Sequence, residues 1–176
     1  MFRSILTFGL AAGVIVGVPM FWLLTQFGEG SLLTGYTLML LALSLIFVGV
    51  KRHRDRALGG VIRFLPALGM GLGISAVAGL VYVVGWEFTL AVTDFRFIEE
   101  YSNAAVEAAR ARGASAAELQ DVVEKMNEFR QSYANPLVRL PMTFIEIFPV
   151  GVLISLVSAA LLRNSRFLPA RVRNGP

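Results

Sequence analysis

Four long apolar runs decide what this chain can become: Ile5 to Leu24, Leu32 to Val50, Phe64 to Trp86 and Leu140 to Leu162. Crossing a bilayer core of roughly 30 Å takes about 20 helical residues, and each run reaches that length. With 56% hydrophobic residues, 16% charged residues and a mean hydropathy of +0.67, the composition lies far outside the soluble range. The expected fold is therefore all-α: a polytopic membrane protein with four transmembrane helices, forming a single membrane domain over residues 1–176. The first run follows Arg3 but is too long for a signal h-region and shows no small-x-small site before Pro19, so it reads as a retained helix.

Orientation follows from the placement of Lys and Arg, which cytoplasmic loops retain. Lys51, Arg52, Arg54, Arg56 and Arg63 stand against Asp55 alone between the second and third runs. The tail, 163–176, carries Arg163, Arg166, Arg171 and Arg173 and no acid. Both segments are expected in the cytoplasm, with both termini, and the protein in a bacterial inner membrane. The third connection holds nine acids from Glu87 to Glu128 and is expected outside, as is the short first connection with Glu29. Trp22 and Trp86 then both fall near the outer interface, where indole rings are favoured. The net charge of +4 is a sum of these opposed segments and carries no nucleic-acid signal. The expected partner is the lipid bilayer, with anionic head groups at Lys51, Arg52, Arg54 and Arg56.

The segment from about Asp94 to Asn135 differs in composition and reads as an external helical hairpin between transmembrane helices 3 and 4. Its first helix places Ile98, Tyr101, Ala105 and Ala108 on one face and ends near Gly113, a residue suited to a left-handed cap. Ser115 and Glu118 match the capping box S-x-x-E that opens the second helix. Leu119, Val122, Met126, Phe129 and Tyr133 follow on one stripe, with an exposed Asp121–Lys125 pair, up to Asn135-Pro136. So few apolar residues form no core alone, so the stripes must cover each other, the outer mouth of the bundle, or a partner.

Small residues recur at four-residue spacing, the pattern that lets membrane helices approach closely. Helix 1 carries Gly9, Gly13 and Gly17; helix 3 carries Gly69 and Gly73 on one ridge and Ala67, Gly71, Ser75 and Gly79 on another; the last helix carries Gly151, Ser155 and Ala159. Packing within the chain and a homodimer through one of these ridges are compatible readings.

Three stretches carry a family resemblance: Leu58-Gly-Gly60, Tyr133-Ala-Asn-Pro-Leu-Val-Arg139, and Met142-Thr-Phe-Ile-Glu-Ile-Phe-Pro-Val-Gly-Val-Leu-Ile-Ser155. The chain resembles the bacterial membrane-protein family called domain of unknown function 4199, over nearly its whole length. The resemblance implies an integral membrane protein and brings with it no reaction, substrate or catalytic residue.

Glu146 is the residue that most calls for explanation, because an ionisable group at membrane depth is costly. Counting back from Leu162, it lies about 5 Å inside the outer boundary. Pro149 lacks an N–H and crowds the Ile145 carbonyl, leaving that oxygen beside the carboxyl group without its helix bond. One reading has Glu146 hydrogen-bonded to Tyr36, Thr37, Tyr82 or a water inside the bundle; another makes it a ligand, cation or proton site, with Glu87 as the neighbouring carboxylate. Arg139 reads as an interfacial anchor rather than a direct ion-pair partner. His53, the one histidine, sits among Lys51, Arg52 and Arg54 and reads as a solvated loop residue, not a metal ligand. Cysteine is absent, no catalytic or nucleotide fingerprint occurs, and no cofactor or enzymatic activity is expected. The leading expectation is a small membrane scaffold or interaction module engaging an envelope protein or a second copy. The alternative is a small transporter or ligand-binding protein using Glu146 and Glu87 at an outward-facing cavity.

Overall fold

The computed structural model describes residues 1–27 and 32–170. Among them are six α-helices: α1 (Phe2–Phe27), α2 (Leu32–Ala57), α3 (Phe64–Val92), α4 (Arg96–Ala111), α5 (Ala116–Ala134) and α6 (Pro136–Leu162). The connection at Gly28 to Ser31, with Glu29, and the tail arginines Arg171 and Arg173 lie outside the described residues.

Helices α1, α2, α3 and α6 pack as a bundle in which α3 touches the other three, leaving α1 and α6 at opposite corners. Small residues set these distances. A Cβ added at Gly9 would lie 2.5 Å from Val77 Cβ, and one at Gly13 the same distance from Val81 Cβ, so α1 and α3 meet at a separation that only glycine permits. A side chain at Gly71 would meet Ser155 at 2.8 Å, and one at Gly79 would meet Phe144 at 2.7 Å. The Ser75 hydroxyl fills the space that a side chain at Gly151 would need. Gly17 is different, because a Cβ there would meet nothing within 4 Å, so it is not a position of forced contact. Gly69 is likewise open and exposed. Around these crossings Met39, Leu43, Ile46, Met70, Ile74, Ile147 and Leu162 form the core.

The outward faces are apolar too, with Leu10, Val14, Val18, Leu40, Leu41, Val84, Phe88, Leu153 and Val157 exposed. Helices apolar on every side need an apolar surrounding. The same four helices are each long and apolar enough to cross a membrane, and together these are the features of a membrane protein.

The basic segment corrects one expectation. Helix α2 does not stop at Val50 but runs on to Ala57, so Lys51 to Arg56, including His53, stand on a helix and not in a loop. The reason is Arg54, which is wholly buried. Its Nε donates to Asp55 Oδ1 at 2.7 Å, and its two terminal nitrogens donate to the carbonyls of Phe167 at 3.0 Å and Leu168 at 2.5 Å, with Leu162 at 3.5 Å. Those oxygens lie at and beyond the end of α6, where helical partners run out and a cation is favoured. Arg54 is therefore enclosed and cannot meet a lipid head group, and Lys51 pairs with Asp55 at 2.5 Å; Arg52 and Arg56 remain exposed. After Ala57 the chain turns at Gly59 and Gly60, with φ of 62° and 91°, which accounts for the Leu-Gly-Gly sequence.

At the other end of the bundle, α3 closes with the Phe95 N–H donating to the Leu90 carbonyl at 2.9 Å and with Asp94 and Phe95 both left-handed, at φ of 49° and 57°. Helix α4 buries Ile98, Ser102 and Ala109, a face rotated from the one expected, since Tyr101 and Ala108 are exposed. Gly113, at φ 76°, ends the turn after α4, and the Ser115–Glu118 capping box opens α5. None of Leu119, Val122, Met126, Phe129 and Tyr133 is exposed. The two helices lie side by side, with Arg130 Nε donating to Ser102 Oγ at 3.0 Å. Helix α6 begins at Pro136, well before Leu140, because proline suits the first helical turn and Asn135 accepts the Leu137 N–H at 3.0 Å. Asn135 is at once the last cap of α5 and the first of α6.

Candidate functional site

A cavity of about 400 Å³ lies where α4 and α5 cover the end of the bundle, a size ordinary for small-molecule sites. Its upper wall follows from three aromatic pairs at i,i+4 spacing, which places both rings of a pair on one helix face: Tyr82 and Trp86 on α3, Phe97 and Tyr101 on α4, Phe129 and Tyr133 on α5. Centroid separations are 5.0 Å for Trp86–Phe97, 5.9 Å for Phe97–Tyr101, 5.7 Å for Tyr101–Phe129 and 5.3 Å for Phe129–Tyr133. Trp86 Nε1 donates to the Tyr133 hydroxyl at 2.7 Å and closes the five side chains into a ring. Burial raises the Tyr133 phenol above its ordinary value, against the opposing hydrogen bonds with Trp86 and Thr143, so it stays neutral near pH 7. Trp86 is thus buried inside the protein and is not an interfacial indole, whereas Trp22 is exposed.

Below the rings the wall is Met20, Met39, Met142, Tyr36, Tyr82 and Thr143, and Glu146 contributes the one acidic group among the described residues. Among the described residues no Lys or Arg lines the cavity. Among the described residues Glu146 has no hydrogen-bond partner; Thr37, one expected partner, donates instead to the Leu33 carbonyl at 2.7 Å.

Glu87 is placed elsewhere. Arg139, buried, donates from Nε and Nη2 to its two carboxylate oxygens at 2.7 Å each. The same guanidinium donates to the Tyr133 carbonyl at 2.9 Å and stands 5.1 Å from the Phe95 ring centroid. Arg139 is therefore an ion-pair partner after all, though of Glu87 and not of Glu146, and it fastens α3, α5 and α6 together. Of the candidate residues, Glu146 and Tyr36 share the cavity, Glu87 lies in the ion pair, and Pro149 is inside α6 but not in the cavity wall. The ring itself was missed as a site, although the three i,i+4 aromatic pairs were there to be read. A smaller, polar cleft of about 280 Å³ runs between α4 and α5, past Ser102, Asn103, Arg110 and Arg130.

No curated protein and no solved structure matches the chain. The family model described as protein of unknown function (DUF4199) matches residues 7–164, from within α1 to just past α6, and so takes in every side chain of the aromatic ring and Glu146. The chain belongs to that family.

Proposed function

We propose that this is an integral protein of the bacterial inner membrane that binds a small ligand in the aromatic cavity, without catalysing a reaction. In this reading α1, α2, α3 and α6 cross the bilayer, and α4 and α5 stand outside as a helical hairpin over the cavity. The charge distribution supports the orientation. Arg52, Arg56, Arg63, Arg163 and Arg166 are exposed at the end of the bundle where Arg54 holds the segment after α6, and positive charge of this kind marks a cytoplasmic face near anionic lipid. Acidic residues predominate on α4 and α5, with Glu99, Glu107, Glu118, Asp121 and Glu124 exposed.

The observation that carries ligand binding is the cavity and the acid in its wall. Glu146 lines the cavity beside rings and methionines, is exposed, and has no hydrogen-bond partner among the described residues, an arrangement that a structural role alone does not call for. The interaction-module reading draws on less, because the apolar stripes of α4 and α5 cover the bundle end and most of the small residues, Gly9, Gly13, Gly71, Gly79 and Gly151, face another helix of the same chain. A protein partner outside the bilayer would meet the charged outer face of the hairpin, and a second copy has the exposed apolar faces of the four long helices open to it as well.

Mass spectrometry of protein taken from native membranes into nanodiscs tests the proposal. A retained small molecule lost in Glu146→Gln supports it. A retained protein partner that depends on α4 and α5, with no small molecule, overturns it in favour of the interaction module. A reporter at Gln120 reached only from outside supports the topology, and cytoplasmic access reverses it.

A further inference from the structure

We infer that the cavity takes an amphipathic organic ammonium ion, its head held by the aromatic ring and Glu146 and its tail lying along Met20, Met39 and Met142. This rests on the cavity being a ligand site and goes on to name the ligand's chemistry. Trp86, Tyr101 and Tyr133 line the cavity, and aromatic ring faces carry negative electrostatic potential, which attracts ammonium ions that retain methyl groups in place of a tight water shell. Methionine thioethers are soft and adaptable and suit an alkyl chain.

The competing ligand classes fit less well. An anion would face Glu146, and among the described residues no Lys or Arg in the wall offsets it. A divalent metal needs several oxygen ligands, and the described residues of the wall supply one carboxylate. A zwitterionic phospholipid head would bring a phosphate, and the Arg139 guanidinium beside the Tyr133 ring is already bound through two nitrogens to Glu87. A neutral ligand would leave the Glu146 carboxylate without a counter-charge. Arg139 does stand 5.8 Å from the centroid of the Tyr133 ring, but it is not part of the cavity wall.

The test uses full-length protein in nanodiscs of phosphatidylglycerol, carrying Trp22→Phe so that Trp86 is the remaining tryptophan. Trp86 fluorescence is followed during titration with hexyltrimethylammonium, its uncharged carbon isostere 2,2-dimethyloctane, and hexyl sulfate. The expected result is saturable binding of the cation, about tenfold or more tighter than the isostere, and no binding of the sulfate. Glu146→Gln is expected to abolish that preference and leave isostere binding unchanged.

Equal binding of cation and isostere by the unmutated Glu146 protein overturns the ammonium assignment but leaves a ligand site standing, and that comparison does not depend on the variant folding. A preference that survives Glu146→Gln also overturns it. Failure of all three probes overturns the ligand-site reading itself. Adding a cationic trimethylammonium lipid to the discs separates the sources: if it blocks the soluble probe the natural ammonium belongs to a lipid, and if binding is unchanged it is a free ion.

Discussion

Arg139 grips Glu87 through two nitrogens, each 2.7 Å from a different carboxylate oxygen, and so ties α6 to α3 beneath α4 and α5. Arg139 is 4% exposed, so its charge has no ready access to water once the partner is gone. Glu87→Gln should lower stability in nanodiscs by about 2–3 kcal/mol, somewhat below a fully buried pair because the Glu87 side chain is 30% exposed. Arg139→Lys should cost less than Arg139→Met, keeping the charge and losing the two-pronged geometry. Thermal unfolding of the three variants gives the order.

The contrast between Gly13 and Gly17 tests how α1 sits on α3. A Cβ at Gly13 would also lie 3.0 Å from the Ala78 carbonyl oxygen, which is backbone and cannot swing aside. Gly13→Ala should cost about 1–3 kcal/mol. Gly17→Ala should be neutral or slightly stabilising, by up to about 1 kcal/mol, since alanine is the better helix former and nothing obstructs it. Equal losses at the two sites in the same unfolding assay would contradict the described crossing.

Arg54→Met removes the donor that holds the carbonyls of Phe167 and Leu168. The expected loss is about 2–4 kcal/mol, from acceptors stranded without partners and from Asp55 losing one of its two cations. Limited proteolysis should then cut between Arg163 and Ala170 faster than in the unmodified chain. Arg52→Met, at an exposed position two residues earlier and on the opposite side of α2, should leave that cleavage unchanged.

The start of α5 should respond to acid. The Ser115 backbone N–H and then its hydroxyl hold the Glu118 carboxyl below its ordinary value of 4.5. A depressed carboxyl contributes stability that is complete above about pH 4.5 and is lost as pH falls through the lower folded value. Amide protection at Glu118 and Leu119, taken relative to the intrinsic exchange rate at each pH, should therefore fall on acidification in the unmodified chain. In Glu118→Gln the acceptor remains but does not titrate, and the acid dependence at these two amides should be absent.

Much of this architecture was legible because long apolar runs, proline and capping residues act locally. The four long apolar helices, the Ser115–Glu118 box and the left-handed Gly113 follow from neighbours in sequence. What was not legible depends on which way a helix turns. Arg54 reads as one more cation of a basic loop until α2 is seen to continue and rotate it onto the end of α6. Glu87 and Glu146 read as two carboxylates at one mouth, yet Arg139, 52 positions from Glu87, claims the first and leaves the second alone. The rotated inner face of α4 shows the same limit, since alanines on both sides of that helix give hydropathy little to distinguish.

Asn135 caps two helices at once, and only residues 93–95 join α3 to α4, so the α4–α5 pair is held on two very short tethers. A roof fixed this way has no slack with which to lift. Raising it would unwind a turn of α3 or α6, breaking several backbone hydrogen bonds worth about 1 kcal/mol apiece. In the proposed reading, traffic to and from the space beneath is thus directed sideways, between helices, and the approach to Glu146 is from the plane of the lipid rather than from the water above.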